Sequence, residues 1–177
     1  MRKVTFGGAC SLDSFFARKD DSVDWLMWTK EVNEIMESYW ATIDTMLMGR
    51  RTYEVAVRNS GGGDGSYPGV KTYVFSRTIR KPNTDNLTFV SEDAADFVRR
   101  LKEEEDGKDI CVMGGGLLAK SLFEADLIDE VGLNIHPIIL GSGIPVFYEI
   151  PLQLNLELVK LQQLSNGCVV VTYQRKR

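Results

Sequence analysis

The chain has 177 residues, 44% apolar and 26% charged, with a net charge of −4. That length suits one domain, 1–177, able to bury roughly 70% of its unfolded surface. No apolar run nears the roughly 18 residues that span a bilayer, and no basic stripe interleaves with aromatics as nucleic-acid binding requires.

In chain order, "RKVTFGGA" (2–9) predicts a first strand, after a basic start that lacks the sustained apolar core of a signal peptide. From Thr29, an N-cap residue type, Val32, Ile35, Met36, Tyr39, Trp40 and Ile43 recur at helical spacing. "TMLMG" (45–49) reads as a continuous apolar strand, and "RRTYEVAV" after it as a helical turn or two. "RNSGGGDGSY" (58–67) lacks the Lys-Ser/Thr of a P-loop and reads as a mobile surface loop. Strands follow at 71–76 and 87–90, then a helix over 91–105, opened by Ser91 and acidic residues that match its dipole. "DICVM" (109–113) is a strand, "LLAKSLFEADL" (117–127) a helix, and "DEVGLNIHPII" (129–139) a strand that a proline bends near its end. Finally, "LELVKLQQL" and "CVVVTYQ" flank Asn166-Gly167 as a β-hairpin.

Strands alternating with helices predict an α/β fold with a mainly parallel sheet, made mixed at one edge by the C-terminal hairpin. Cys10, Cys111 and Cys168 are an odd set without CxxC spacing. Reduced thiols in a cytoplasmic protein, with no metal site, are the expectation.

Three strands end in groups suited to an anion, where open α/β sheets bind their ligands. "TMLM" runs into Gly49-Arg50-Arg51-Thr52, "TYVF" into Ser76-Arg77, and "ICVM" into Gly114-Gly115-Gly116. A guanidinium offers a planar fork of donors that matches phosphate, and glycines let a pyrophosphate approach the N–H groups at the start of a helix near Leu117. Each signal alone is weak; together they point to one elongated, multiply phosphorylated ligand. A Rossmann domain is excluded, since GxGxxG does not follow the first strand and no acid stands where a ribose 2′-hydroxyl is held. Two arginine clusters in that acid's place favour a 2′-phosphate, hence NADPH.

"SLDSFFA", "MGRRTYE", "VFSR", "VMGGG" and "FEADLIDEVGLNIHPIILGSGIPVF" resemble the dihydrofolate reductase superfamily. The resemblance is greatest to the branch containing the C-terminal reductase domain of the bifunctional riboflavin-biosynthesis deaminase/reductase, and covers almost the whole chain. It implies a sheet of about eight strands flanked by helices, NADPH across the strand ends, and a homodimer. Its cofactor residues carry over to Gly49, Arg50, Arg51, Thr52, Ser76, Arg77, Gly114, Gly115, Gly116 and Leu117. Phe15 stands where the riboflavin enzymes have a basic residue, and Trp25 and Trp28 follow. These three predict a flat, apolar substrate pocket for a ring. Dihydrofolate reductases protonate their substrate from a carboxylate on the first long helix; Glu31 matches by rough position, with Asp13 and Asp24 as competitors. The lone His136, in a strand before Pro137, reads as structural.

The expected activity is hydride transfer from NADPH to a C=N or C=O of a small planar substrate. The alternatives are a true riboflavin-pathway reductase acting on a phosphoribosylamino-pyrimidine, or a non-catalytic NADPH-binding dimeric module. The apolar run 138–147, "IILGSGIPVF", is the expected dimer contact.

Overall fold

The apolar runs become the strands of one eight-stranded sheet in a computed structural model of the protein, which describes residues 1–114, 116–151 and 153–176. In chain order the elements are β1 (Val4–Ser11), β2 (Phe15–Ala17), α1 (Lys30–Trp40), β3 (Ile43–Gly49), α2 (Arg50–Asn59), β4 (Lys71–Phe75) and β5 (Leu87–Val90). Then come α3 (Ala94–Glu103), β6 (Asp109–Met113), α4 (Gly116–Glu124), β7 (Glu130–His136), β8 (Ile144–Pro145), β9 (Leu156–Gln163) and β10 (Val169–Arg175). The large sheet runs β5-β4-β3-β6-β1-β7-β10-β9. All pairs from β5 to β7 are parallel, and the hairpin β9–β10 adds the antiparallel edge. β2 and β8 make a separate two-stranded ribbon.

Strand alternation divides the core between the two faces of the sheet. Leu47, Ile110 and Val112 point to one face, with Val98 and Leu101 of α3 and Ala119, Leu122 and Phe123 of α4. Met46, Met48 and Cys111 point to the other, against Tyr39 and Trp40 of α1 and Tyr53 and Val57 of α2. Adjacent strands β3 and β6 therefore lead into helices on opposite faces. That divergence opens a crevice between their carboxyl ends, the switch point where such sheets bind ligands.

Local chemistry sets the boundaries. The Thr29 hydroxyl accepts from the Val32 N–H at 3.2 Å and starts α1 as expected. α3 begins three residues later than the sequence predicts, because Asp93 rather than Ser91 caps it, accepting from Ala95 and Asp96 at 2.9 and 3.1 Å. α4 stops at Glu124, short of the expected 127. Asp126 takes φ +59° there, and the Asp126 and Leu127 N–H groups bond back to the carbonyls of Phe123 and Leu122. This closes the last turn as a Schellman motif. α2 is longer than a turn or two. The short ribbon β2–β8 has no clear alternation in the sequence.

Between β1 and β7, Gly7 faces Gly132, where a Cβ on Gly7 would stand 1.7 Å from the Gly132 carbonyl oxygen. Only glycine allows that approach. Cys10, Cys111 and Cys168 are buried free thiols, and burial pushes the first two up to about 11. Among the described residues no helix is long and apolar enough to cross a membrane, and no cluster of His, Cys, Asp and Glu could hold a metal.

Candidate functional site

The register brings the three predicted strand ends side by side. Gly49 is level with Phe75, and Met48 with Met113, so the residues that follow leave neighbouring strands roughly 4.8 Å apart. Gly49 is the N-cap of α2 and offers no side chain to cap it. The first N–H groups of α2 therefore face the crevice without a side-chain partner at the cap. A Cβ on Gly49 would meet nothing within 4 Å, so the space before this helix is open.

Gly114 closes the other side. Its φ is +77°, and a Cβ there would stand 2.4 Å from Thr52 Oγ1. The glycine thus seats the end of β6 directly against the first turn of α2. Gly116, with φ +82°, opens α4, and Leu117 beside it is 75% exposed. Gly115 lies outside the described residues. The Ser76 hydroxyl accepts from the N–H groups of Thr78 and Ile79 at 3.2 and 3.1 Å, while Arg77 is exposed. Among the described residues Arg50 makes one ion pair, a long helical one with Glu54 at 3.9 Å. Arg51 Nε donates to Asp21 at 2.8 Å.

Beside this cradle, on the α1–α2 face of the sheet, lies a cleft of about 450 Å³. Asn33, Met36, Glu37 and Trp40 of α1 form one wall. Gly65, Ser66 and Tyr67 continue it, and Met46, Met113 and Trp28 complete the lining. Tyr67 stacks on Trp40 with centroids 4.3 Å apart, so part of the glycine-rich loop 58–67 is packed as a cleft wall. Met113 links cleft and cradle, since Gly114 follows it in the chain.

Of the residues expected around the substrate, the structure brings Trp28 to the cleft, 64% exposed, and not the others. Trp25 is buried, its ring edge-on to His136 at 5.2 Å, and Phe15 pairs with Pro145 in the β2–β8 ribbon. His136 is buried, and that burial pushes its pKa down.

The two expected acids also have other partners. Glu31 accepts from the N–H and the hydroxyl of Ser165 at 2.9 and 2.8 Å, fastening α1 to the hairpin turn. Asp13 accepts from the Ser11 hydroxyl at 2.6 Å and from the N–H groups of Leu140 and Gly141 at 3.1 and 2.7 Å. These bonds hold both carboxyls below their ordinary range, the Ser165 N–H acting first on Glu31 and the Ser11 hydroxyl on Asp13. Neither lines the cleft; Glu37 is the carboxylate that does. Sequence reasoning missed Asn33, Glu37, Trp40 and Tyr67 as cleft residues. The signal was present in α1, because 33, 36, 37 and 40 share one helical face distinct from the core face of Val32, Ile35 and Tyr39.

A family model described as the RibD C-terminal domain matches residues 2–170. The uncharacterized protein YwjB of Bacillus subtilis is 35% identical over 168 residues, covering 94% of each chain. The crystal structure of a candidate riboflavin biosynthesis protein from Shewanella sp. PV-4 superposes with a TM-score of 0.84 at 26% identity, over 100% of both chains. A diaminohydroxyphosphoribosylaminopyrimidine deaminase/5-amino-6-(5-phosphoribosylamino)uracil reductase from Thermotoga maritima shares the fold, with a TM-score of 0.73 at 16% identity over 99% of this chain and 57% of that one.

Proposed function

The chain belongs to the RibD C-terminal domain family, with that family's reductase-like fold, and from this premise we propose that it is an NADPH-dependent reductase of a small planar substrate. The observation that carries the reading is the meeting of an uncapped helix start at Gly49 with Gly114 at the switch point, directly beside an aromatic cleft. The donor set fits the cofactor. Open space before Gly49 and the N–H groups of Arg51 and Thr52 suit a diphosphate. Arg50, Arg51 and Arg77 are exposed or half-exposed guanidiniums suited to the additional 2′-phosphate. Ser76, Gly116 and Leu117 would complete its surroundings.

When bound, NADPH supplies the hydride. The chain's task is to hold a C=N or C=O of the substrate against that donor and to exclude water. Trp28 supplies an exposed ring face for stacking, at about 0.5–1.5 kcal/mol per aromatic pair beyond area burial, and Trp40 and Tyr67, stacked on each other, add an apolar wall. Asn33 offers an amide to orient the ring, and Glu37 is placed to pass a proton from solvent to the reduced atom.

Family membership favours a phosphoribosylamino-pyrimidine substrate as a second reading. The cleft lining disfavours it, because among the described residues no Lys or Arg lines it and the one formal charge is the negative Glu37. An unpaired phosphate there would be costly. Screening pterin, flavin and pyrimidine compounds for NADPH oxidation tests the choice. The neutral rings should turn over, and faster reduction of the phosphoribosyl compound would reverse the order. Binding of NADPH without oxidation by any of them would favour the non-catalytic module.

The homodimer also belongs to this reading, with a second candidate contact beside the one expected. In 138–147, Val146 is buried and Phe147 packs near Phe6 and Phe123, while Ile139 is 70% exposed and Phe147 43% exposed. The edge strand β9 also exposes Leu156, Leu158, Val159 and Leu161. Two-fold pairing of β9 with a second copy would cover this apolar edge. A monomeric mass by light scattering at micromolar concentration would contradict it. The reduced thiols and the cofactor suit the cytoplasm.

A further inference from the structure

The segment between β2 and α1 reaches from the exposed arginines of α2 to the substrate cleft. Arg18 pairs with Asp24 at 2.7 Å, Trp25 is packed against His136, and Trp28 lines the cleft. Asp21, in its middle, has φ +69°, a left-handed conformation uncommon for a residue with a Cβ. Its side chain is only 19% exposed, although it lies on a surface segment. Its Oδ1 accepts from Arg51 Nε at 2.8 Å and its Oδ2 from Arg58 Nη2 at 3.3 Å, while Arg51 Nη2 also reaches the Lys19 carbonyl at 3.4 Å. Arg51 is thus held by an anion that belongs to the chain.

Resting on the NADPH reading above, we infer that Asp21 is an internal counter-ion that competes with the cofactor's 2′-phosphate for Arg51, and so sets the degree of NADPH-over-NADH selectivity. The Nε–Nη2 edge of Arg51 is taken by Asp21 and the Lys19 carbonyl, so a phosphate must either displace them or use the remaining donors close to the carboxylate. If the phosphate displaces Asp21, the ion pair is the work of displacement. If both remain, the carboxylate repels the phosphate. Either way the carboxylate weakens binding of the phosphorylated cofactor far more than that of NADH, which carries only an uncharged hydroxyl at that position. Because Arg51 and Arg58 are more than half exposed, solvent and salt moderate the effect without changing its sign.

The test is a fluorescence titration of wild type, Asp21→Asn, Arg51→Gln and the double variant with NADPH, NADH and 2′,5′-ADP at low salt. Asp21→Asn should tighten NADPH and 2′,5′-ADP by about threefold to tenfold and change NADH by less than about twofold. In the Arg51→Gln background the same substitution should have less than about a twofold effect, which marks the coupling as running through Arg51. Asp21→Gly, which suits φ +69°, should act like Asp21→Asn and guards against a variant that misfolds. An unchanged NADPH-to-NADH ratio in both Asp21 variants, with wild type preferring NADPH, overturns this inference alone. Wild type that binds neither NADPH nor 2′,5′-ADP overturns the cofactor reading with it.

Discussion

The two ends of the sheet use charge in opposite ways. At the amino end Arg2 is buried and all three of its guanidinium nitrogens are engaged. Nε bonds the Lys108 carbonyl and Nη1 bonds Glu104, each at 2.6 Å, while Nη2 reaches Asp44 and, at 2.6 Å, Thr45. Gly107 packs so tightly that a Cβ on it would stand 2.4 Å from that guanidinium. Lys102, also buried, is closed against Asp129 and the Leu127 carbonyl. At the carboxyl end the arginines are exposed, α2 starts without a side-chain cap, and its N-cap glycine faces open space. Saturated charge holds a fold together. Charge and N–H groups left accessible at a switch point are available to a ligand.

The largest break in that comparison should come from the saturated end. Asp129→Ala would leave Lys102 buried without its carboxylate and remove the acceptor of the Val4 N–H, which lies 2.8 Å away. Urea unfolding should show a loss of about 3–5 kcal/mol, with the NADPH-to-NADH preference of the folded fraction unchanged. A shift in that preference would mean the two ends are not separable.

Gly114→Val acts at the open end. The new Cβ has no room beside Thr52, and φ +77° strains a branched residue. The fold should survive at a cost of about 1–3 kcal/mol, verified by circular dichroism. NADPH affinity should fall by about a hundredfold, or roughly 2.7 kcal/mol. A folded variant with normal affinity would make this glycine a turn residue and nothing more.

Much of this division could be read before the structure. The strands 87–90 and 109–113, the Thr29 cap and the three anion-suited strand ends all follow from short-range pattern. Strand order did not, because only the crossovers decide that β6 inserts between β3 and β1. The cleft was also hidden. Asn33 and Glu37 resemble an ordinary solvent face and Met36 and Trp40 part of the apolar one, and what joins the four at the cleft is Tyr67, a residue from a distant loop stacked on Trp40. Glu31 and Asp13 misled for a related reason. A carboxylate near a helix start looks the same in sequence whether it meets substrate or, as here, the Ser165 amide or the loop at Leu140 and Gly141.

Asp13 sharpens the comparison with the smallest effect. It is a carboxylate near the carboxyl end of β1 that serves structure, and its hydrogen bonds depress its pKa, the Ser11 hydroxyl foremost. A depressed carboxyl contributes stability above its unfolded pKa, near about 4, and loses it as pH falls through the lower folded value. Asp13→Asn should therefore lower stability slightly at neutral pH and flatten the decline of stability below about pH 4. If Asp13 were instead the proton donor, turnover would collapse in this variant while the acid limb of the stability curve stayed unchanged.

The central claim is that the open end of the sheet is an NADPH site, and direct titration of the wild-type protein with NADPH and NADH tests it most simply. Arg50, Arg51 and Arg77 are the cations available to a 2′-phosphate, and one charge-assisted hydrogen bond contributes roughly 1.5–3 kcal/mol. The Asp21 pair with Arg51 offsets part of that. NADPH should be preferred by about tenfold or more at moderate salt, and the preference should shrink as salt is raised. Equal affinities for the two cofactors would contradict it.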